Sequence, residues 1–325
     1  MPAVQTAEMN PELGSMVMIF VVVAGIPKAA VVLAVARAVL VVTTLIWAAH
    51  SIVGRLAVGQ IGPMTLTTLR WAVALIPILI AARRSLRRDW PALRARWVYL
   101  TVMGAAGYTA FVALFYVAAH HTSALNLSII QGAIPALVLI GARVFLKVRF
   151  SGSQVVGALI TMLGVAVIAA QGDPAKLAAL AFNSGDVMMV AAAVLYAGYT
   201  IGLRQRPKVS GVSMLAAMAV AAFITSVPLM IWEIASGGFI RPTWAGLLAL
   251  AFVALGPAFV AQLTFMRGVE LIGPGRAGVF VNLVPVFGAI MAVVILSEPF
   301  AAYHVLALLL VVGGIAIAQR GSGTA

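Results

Sequence analysis

The chain has 325 residues, 63% of them hydrophobic and 9% charged, with a mean hydropathy of +1.12 and a formal charge of +13. Soluble domains carry about one quarter charged residues, so this chain lacks the ionic surface that water demands and reads as an integral membrane protein. Its basic residues stand in short clusters between apolar runs, a pattern of membrane topology that excludes a nucleic-acid partner, and the absence of cysteine excludes disulfides, thiolate chemistry and Cys-based metal centres.

Residues 1–36 open the chain as an extension of uncertain structure. The apolar stretch from Met16 to Ile26 is eleven residues long and ends at Pro27-Lys28. Glu8 and Glu12 stand where a secretion signal needs positive charge. Ten apolar runs follow, near 37–58, 63–82, 97–118, 124–145, 154–171, 185–203, 212–232, 243–263, 277–297 and 302–319. Each is long enough to cross about 30 Å of hydrocarbon as a helix. Breaker clusters such as Gly59-Gln60-Ile61-Gly62-Pro63, Gln171-Gly172-Asp173-Pro174 and Ser297-Glu298-Pro299 separate them.

Polar groups inside hydrocarbon are expensive, so those deep in the spans are the candidates for a solute path. Span one offers Trp47, His50, Ser51 and Gly54 at three- and four-residue steps, with Arg55 near its outer end. Span two carries Arg70, placed to meet an anion or a carbonyl, or to snorkel to the headgroups. Span three repeats the helical stripe with Gly104, Tyr108, Phe111 and Phe115, which plain packing explains equally well. In span four Ser128, Gln131 and Pro135 share a face; span six holds Tyr196 and Tyr199, span eight Gln262 and Phe265, and span nine Asn282 and Pro285. Each proline denies an amide to a carbonyl one turn earlier and bends its helix. Aromatic walls with a few amides and hydroxyls suit an amphiphilic organic solute better than an ion.

Acidic residues are placed differently. Glu233, Glu270 and Glu298 sit at span ends and none lies at a predicted midplane, which argues against a carboxylate-built sodium site. His50 is the deep group able to titrate near neutral pH, or else a hydrogen-bonded packing residue. The sequence offers no metal site, no cofactor motif and no catalytic cluster, since nucleotide-binding loops and HExxH are absent and His120-His121 has no acid beside it.

Sliding the chain against itself by 150 residues superposes Phe115 on Phe265, Pro135 on Pro285, Leu146 on Leu296 and Gly164 on Gly314 without gaps. The expected organisation is a first five-helix repeat over 37–171, a second over 172–320 and a tail at 321–325. Five is odd, so the second repeat must run through the membrane inverted. Charge agrees. With the start of span one inside, the cytoplasmic side holds fourteen Lys and Arg, from Arg83 to Arg320, and the outer loops hold Lys176 and Arg241.

Leu45-Ile46-Trp47, Leu69-Arg70-Trp71, Val281-Asn282-Leu283-Val284-Pro285-Val286-Phe287 and Leu296-Ser297-Glu298-Pro299, followed by Gly313-Gly314, together resemble the EamA-type carriers of the drug/metabolite transporter superfamily. The resemblance covers about residues 38–320 and is nearest to the bacterial aromatic amino-acid exporters. It implies a monomeric inner-membrane carrier for aromatic and other neutral amino acids. Its cavity would be lined by Trp47, His50, Tyr108, Phe111, Gln131, Tyr196, Tyr199 and Asn282. Arg55, Arg70, Pro135, Pro285 and Glu298 are the candidates for gate or anion contact, with Glu298 acting at a helix end. Efflux of metabolites or lipophilic drugs is the alternative inside the family, and a channel or accessory scaffold the alternative outside it. The charge pattern makes a topological prediction: reporter fusions at Arg88 and Pro207 read cytoplasm and a fusion at Gly238 reads the outside, and a cytoplasmic reading at Gly238 refutes the inversion.

Overall fold

A computed structural model describes residues 28–147, 151–173, 175 and 183–320. Most of the expected extension, the whole tail, Arg149 and Lys176 lie outside the described residues. Each predicted span is a helix: α1 (Lys28–Leu56), α2 (Pro63–Ala95), α3 (Trp97–Ala119), α4 (Ala124–Leu146), α5 (Gly152–Ala169), α6 (Ser184–Gly202), α7 (Gly211–Ala235), α8 (Trp244–Ile272), α9 (Pro274–Phe280 and Leu283–Leu296) and α10 (Ala302–Arg320). Their starts are written locally. Ser123, Ser210 and Thr243 each accept a backbone amide of the first turn, Asn183 accepts two, and Ser151 with Gln154 forms a capping box. Three helices outrun their predicted spans, α8 by running on from 263 to Ile272. α1 begins at Lys28 because the Ala- and Val-rich run is apolar from there, and α2 continues through the Arg- and Ala-rich stretch to Ala95 despite Pro77 and Pro91.

The helices pair across the two halves under one rule: exchanging each helix for the one five places on reproduces the packing. α2 lies on α7, α5 on α10 and α4 on α9; α1 packs on α8 and α9, as α6 packs on α3 and α4. Irregularities repeat at the same interval. α3 widens into a π turn at Ala105–Ala110 and α8 does so at Gly256–Val260. α4 breaks at Gly132-Ala133 and α9 at Val281-Asn282, and the two helices end on Lys147 and Ser297, both left-handed at φ 54°. The fold is therefore all-α, with ten membrane helices in two inverted five-helix repeats.

Carboxylates join the halves at the helix ends. On the face bearing the arginine clusters, hereafter the basic face, Asp89 of α2 accepts the Ser210 amide at the start of α7 at 2.9 Å. On the far face Glu233 of α7 accepts the Met64 and Thr65 amides at the start of α2, at 2.8 and 2.9 Å, and the Thr65 hydroxyl at 2.6 Å. Glu298, after α9, accepts the Ala124 and Leu125 amides of α4, both at 2.9 Å. Each acid meets the positive end of a partner helix, where first-turn amides lack intrahelical acceptors.

Without water to expel, membrane helices gain contact by close approach. At the α5–α10 seam a Cβ on Gly314 would strike the Gly157 carbonyl and Thr161, whereas one on its neighbour Gly313 would meet nothing within 4 Å. Gly314→Val should therefore cost about 1–3 kcal/mol through overpacking and lower the thermal midpoint of the detergent-purified protein. Gly313→Ala should leave the midpoint in place, and equal behaviour of the two variants would rule out this seam.

Candidate functional site

The π turns and helix breaks lie midway along their helices and meet around one cavity of about 120 Å³. Each irregularity brings polar backbone to that cavity. Pro135 has no amide for the carbonyl of Gln131, and Pro285 has none for the carbonyl of Val281, which the Val284 amide takes instead at 3.1 Å. In α8 Pro257 opens the ladder inside the π turn. In α3 the Tyr108 carbonyl accepts the indole N–H of Trp71 at 3.3 Å, so a neighbouring helix covers what the π turn exposes.

Around these groups stand Trp47 and His50 of α1, Arg70 and Trp71 of α2, Tyr108 and Phe111 of α3, Gln131 and Pro135 of α4, Tyr196 of α6, Gln262 of α8 and Asn282 of α9. Trp71 and Tyr108 stack at 4.8 Å and 4°, a flat wall continued by Tyr199 at 5.6 Å from Tyr108. Phe111 and Tyr196 are 4.8 Å apart on the other side. Gln131 and Asn282 sit at the two helix breaks, and both side-chain oxygens are buried without a hydrogen-bond partner among the described residues.

On the far-face side of the cavity lies a polar cluster. Arg70 Nη1 donates to His50 Nε2 and to the Tyr116 hydroxyl, both at 3.0 Å, and that hydroxyl is 3.0 Å from the same His50 nitrogen. The arginine proton leaves Nε2 as an acceptor, so the imidazole is neutral with its hydrogen on Nδ1. Phe115 stacks on the imidazole at 4.6 Å. His50, Arg70 and Tyr116 are all at most 5% exposed.

Of the thirteen residues assigned to the cavity or its gate, nine meet here and four stand elsewhere, as do Ser51, Gly54, Gly104, Phe115, Ser128 and Phe265 of the wider set. Tyr199 and Pro285 lie one layer behind it, Tyr199 against Gly107 and Tyr108 and Pro285 against Gly132. Arg55 donates to the Ala119 carbonyl at 2.7 Å, and both Arg55 and Glu298 border a separate far-face cavity of about 400 Å³. Trp71, Tyr116 and Pro257 were not among the sequence candidates. Trp71 and Pro257 line the cavity, whereas Tyr116 holds Arg70 and His50 from outside it. The one available signal was the position of Trp71 beside Arg70.

The model of the EamA-like transporter family matches the chain twice, over residues 34–170 and 183–319. Among relatives, the "Uncharacterized transporter YyaM" of Bacillus subtilis is 27% identical over 81% of this chain and 86% of its own length. A Streptantibioticus cattleyicolor protein named "Probable terminal-alkyne amino-acid exporter" is 24% identical over 80% of this chain and 84% of its own. A solved crystal structure superposes with a TM-score of 0.60 over 87% of this chain and 96% of that one; at 20% identity this speaks for the fold alone.

The cluster at Arg70 has a measurable weight. Tyr116→Phe removes an acceptor from a buried cation, and such hydrogen bonds contribute about 1.5–3 kcal/mol. The variant should melt at lower temperature than wild type, while Tyr303→Phe, at the periphery, should not. An unchanged midpoint for Tyr116→Phe would show that the cluster contributes nothing to the fold.

Proposed function

The chain belongs to the EamA-like transporter family and moves small molecules across a membrane, and from that premise we propose that it exports amino acids with aromatic and medium-sized neutral side chains from the cytoplasm. The observation that carries this reading is the pair of amides at the duplicated helix breaks. Gln131 and Asn282 present unpartnered oxygens, neutral acceptors suited to an ammonium, beside an aromatic wall suited to a side chain. The name of the Streptantibioticus relative points the same way. Stacking and apolar contacts separate similar side chains by only about 1–3 kcal/mol, so the cavity accepts a range of them.

Orientation follows from the basic face, which on this reading is cytoplasmic, as in a bacterial inner membrane. The transport step is an exchange of roles between the two repeats, the cavity opening first to the basic face and then to the far face. A single chain contains both repeats, and a monomer suffices. Movement is driven by the solute gradient without a proton. No described carboxylate lines the cavity, and a second proton on His50 would set two cations against each other.

Liposomes containing the purified protein and loaded with labelled phenylalanine, methionine or threonine should show saturable efflux with no accompanying proton flux. Gln131→Ala should raise the KM for phenylalanine by about tenfold, the worth of one hydrogen bond to a charged group. Efflux of a lipophilic dye with no amino-acid flux would refute the reading, and a rate linear in concentration would indicate a channel.

A further inference from the structure

Arg70 is the one buried Lys or Arg among the described residues, and it has no ionic partner. The described ion pairs are Arg88 with Asp89 and Arg267 with Glu270. Asp89, Glu233 and Glu298 are occupied by helix amides, and Asp186 by Thr122 and Asn126 on the far face. Among the described residues Arg70 meets only neutral groups: His50 Nε2, the Tyr116 hydroxyl and the Trp71 ring, whose centroid is 5.3 Å from its Cζ. Both hydrogen bonds use Nη1, so the Nε and Nη2 edge donates to nothing in the described protein, and Nε is a buried donor without a partner.

Buried charges in proteins are paired, because an unpaired one forfeits its hydration with nothing in exchange. A guanidinium at the wall of a cavity, held to neutral groups through Nη1 and with its buried Nε unpartnered, lacks a planar anion that accepts two parallel hydrogen bonds. A carboxylate fits the Nε and Nη2 edge. At the other end of the solute, an ammonium would find neutral amide oxygens and no described acid. The two charged groups of an amino acid are thus treated unequally.

Building on the transport reading of this cavity, we propose that Arg70 binds the carboxylate of the solute and that this carboxylate is the obligatory handle. The ammonium is dispensable, so that small aryl and alkyl monocarboxylates lacking an amino group are substrates as well. Trp71, stacked on Tyr108 and lying under the guanidinium, sets the flat wall against which the organic part of such an acid rests.

The test compares L-phenylalanine, 3-phenylpropanoate and phenethylamine in liposomes of wild type, Arg70→Lys and Arg70→Gln at pH 8, with protein-free liposomes subtracted. Wild type should move both carboxylates and leave the amine behind. Arg70→Gln should lose transport of both by roughly 30-fold or more, as expected when one partner of a buried charge pair is removed, and Arg70→Lys, which keeps the charge but not the fork, should fall between. Should the glutamine variant fail to fold, binding to wild type decides. Tryptophan fluorescence, with Trp47 and Trp71 at the cavity, should respond saturably to 3-phenylpropanoate and not to phenethylamine. Phenylalanine transport at the wild-type rate by Arg70→Gln, or no binding and no flux of 3-phenylpropanoate, overturns the proposal while leaving amino-acid export standing. Arg70-dependent flux of 3-phenylpropanoate without phenylalanine supports the proposal and removes amino acids as the cargo.

Discussion

A backbone carbonyl or amide in hydrocarbon finds no water, and every residue carries both unless it is proline. Ten continuous helices would answer that demand completely and leave nothing for a solute to bind. In this chain two π turns and two breaks interrupt the ladder around one cavity, where side chains and neighbouring helices surround the exposed groups, while Pro77, Pro91 and Pro228 each remove a further ladder bond elsewhere in α2 and α7. Trp71 reaches the Tyr108 carbonyl and Val284 covers that of Val281. The cavity is thus where the backbone departs furthest from regularity, and aromatic residues surround that departure.

Charge is governed by the same scarcity. Carboxylates within reach of the membrane are used at helix starts, where two amides converge on Glu233, two on Glu298 and one on Asp89. That use ties the repeats together and leaves the cavity without a described acid. Its single guanidinium then faces a histidine kept neutral by geometry, a phenol and an indole. An arrangement of this kind favours an anionic end on any bound molecule and disfavours a lone cation.

Much of this is legible in the sequence. Apolar run lengths place the spans, and the 150-residue shift announces the two-fold relation that the helix pairing follows. Trp47, His50, Tyr108, Phe111, Gln131, Tyr196 and Asn282 meet at one cavity: helical spacing selects the inward face at Trp47 and His50, and depth within an apolar span marks Tyr108, Gln131 and Asn282, which sit at a π turn and the two breaks. The π turn in α3 defeats the same reasoning, since each π turn adds a residue and rotates everything after it. Past the turn Tyr116, adjacent to the expected stripe, reaches His50 and Arg70, while Phe115 packs on the imidazole without entering the cavity. Pro285 is displaced for a related reason, as the break at Val281-Asn282 sets the proline behind Gly132. The role of Glu298 at a helix end was readable from its position after span nine, but not the helix it meets, because partners 174 residues apart leave no mark in either segment.

The carboxylate caps also bear on how the chain is made. Synthesis runs from α1 onward, yet the acid that completes the first turn of α2 is residue 233 and the acid for α4 is residue 298. Until those residues emerge, two helices of the first half have open amides at the far-face boundary, where water can serve them but no neighbouring helix can. The first half therefore reaches its final form only when the second is inserted. A chain cut short before Glu298 leaves the start of α4 uncapped, and one cut short before Glu233 leaves the start of α2 uncapped as well.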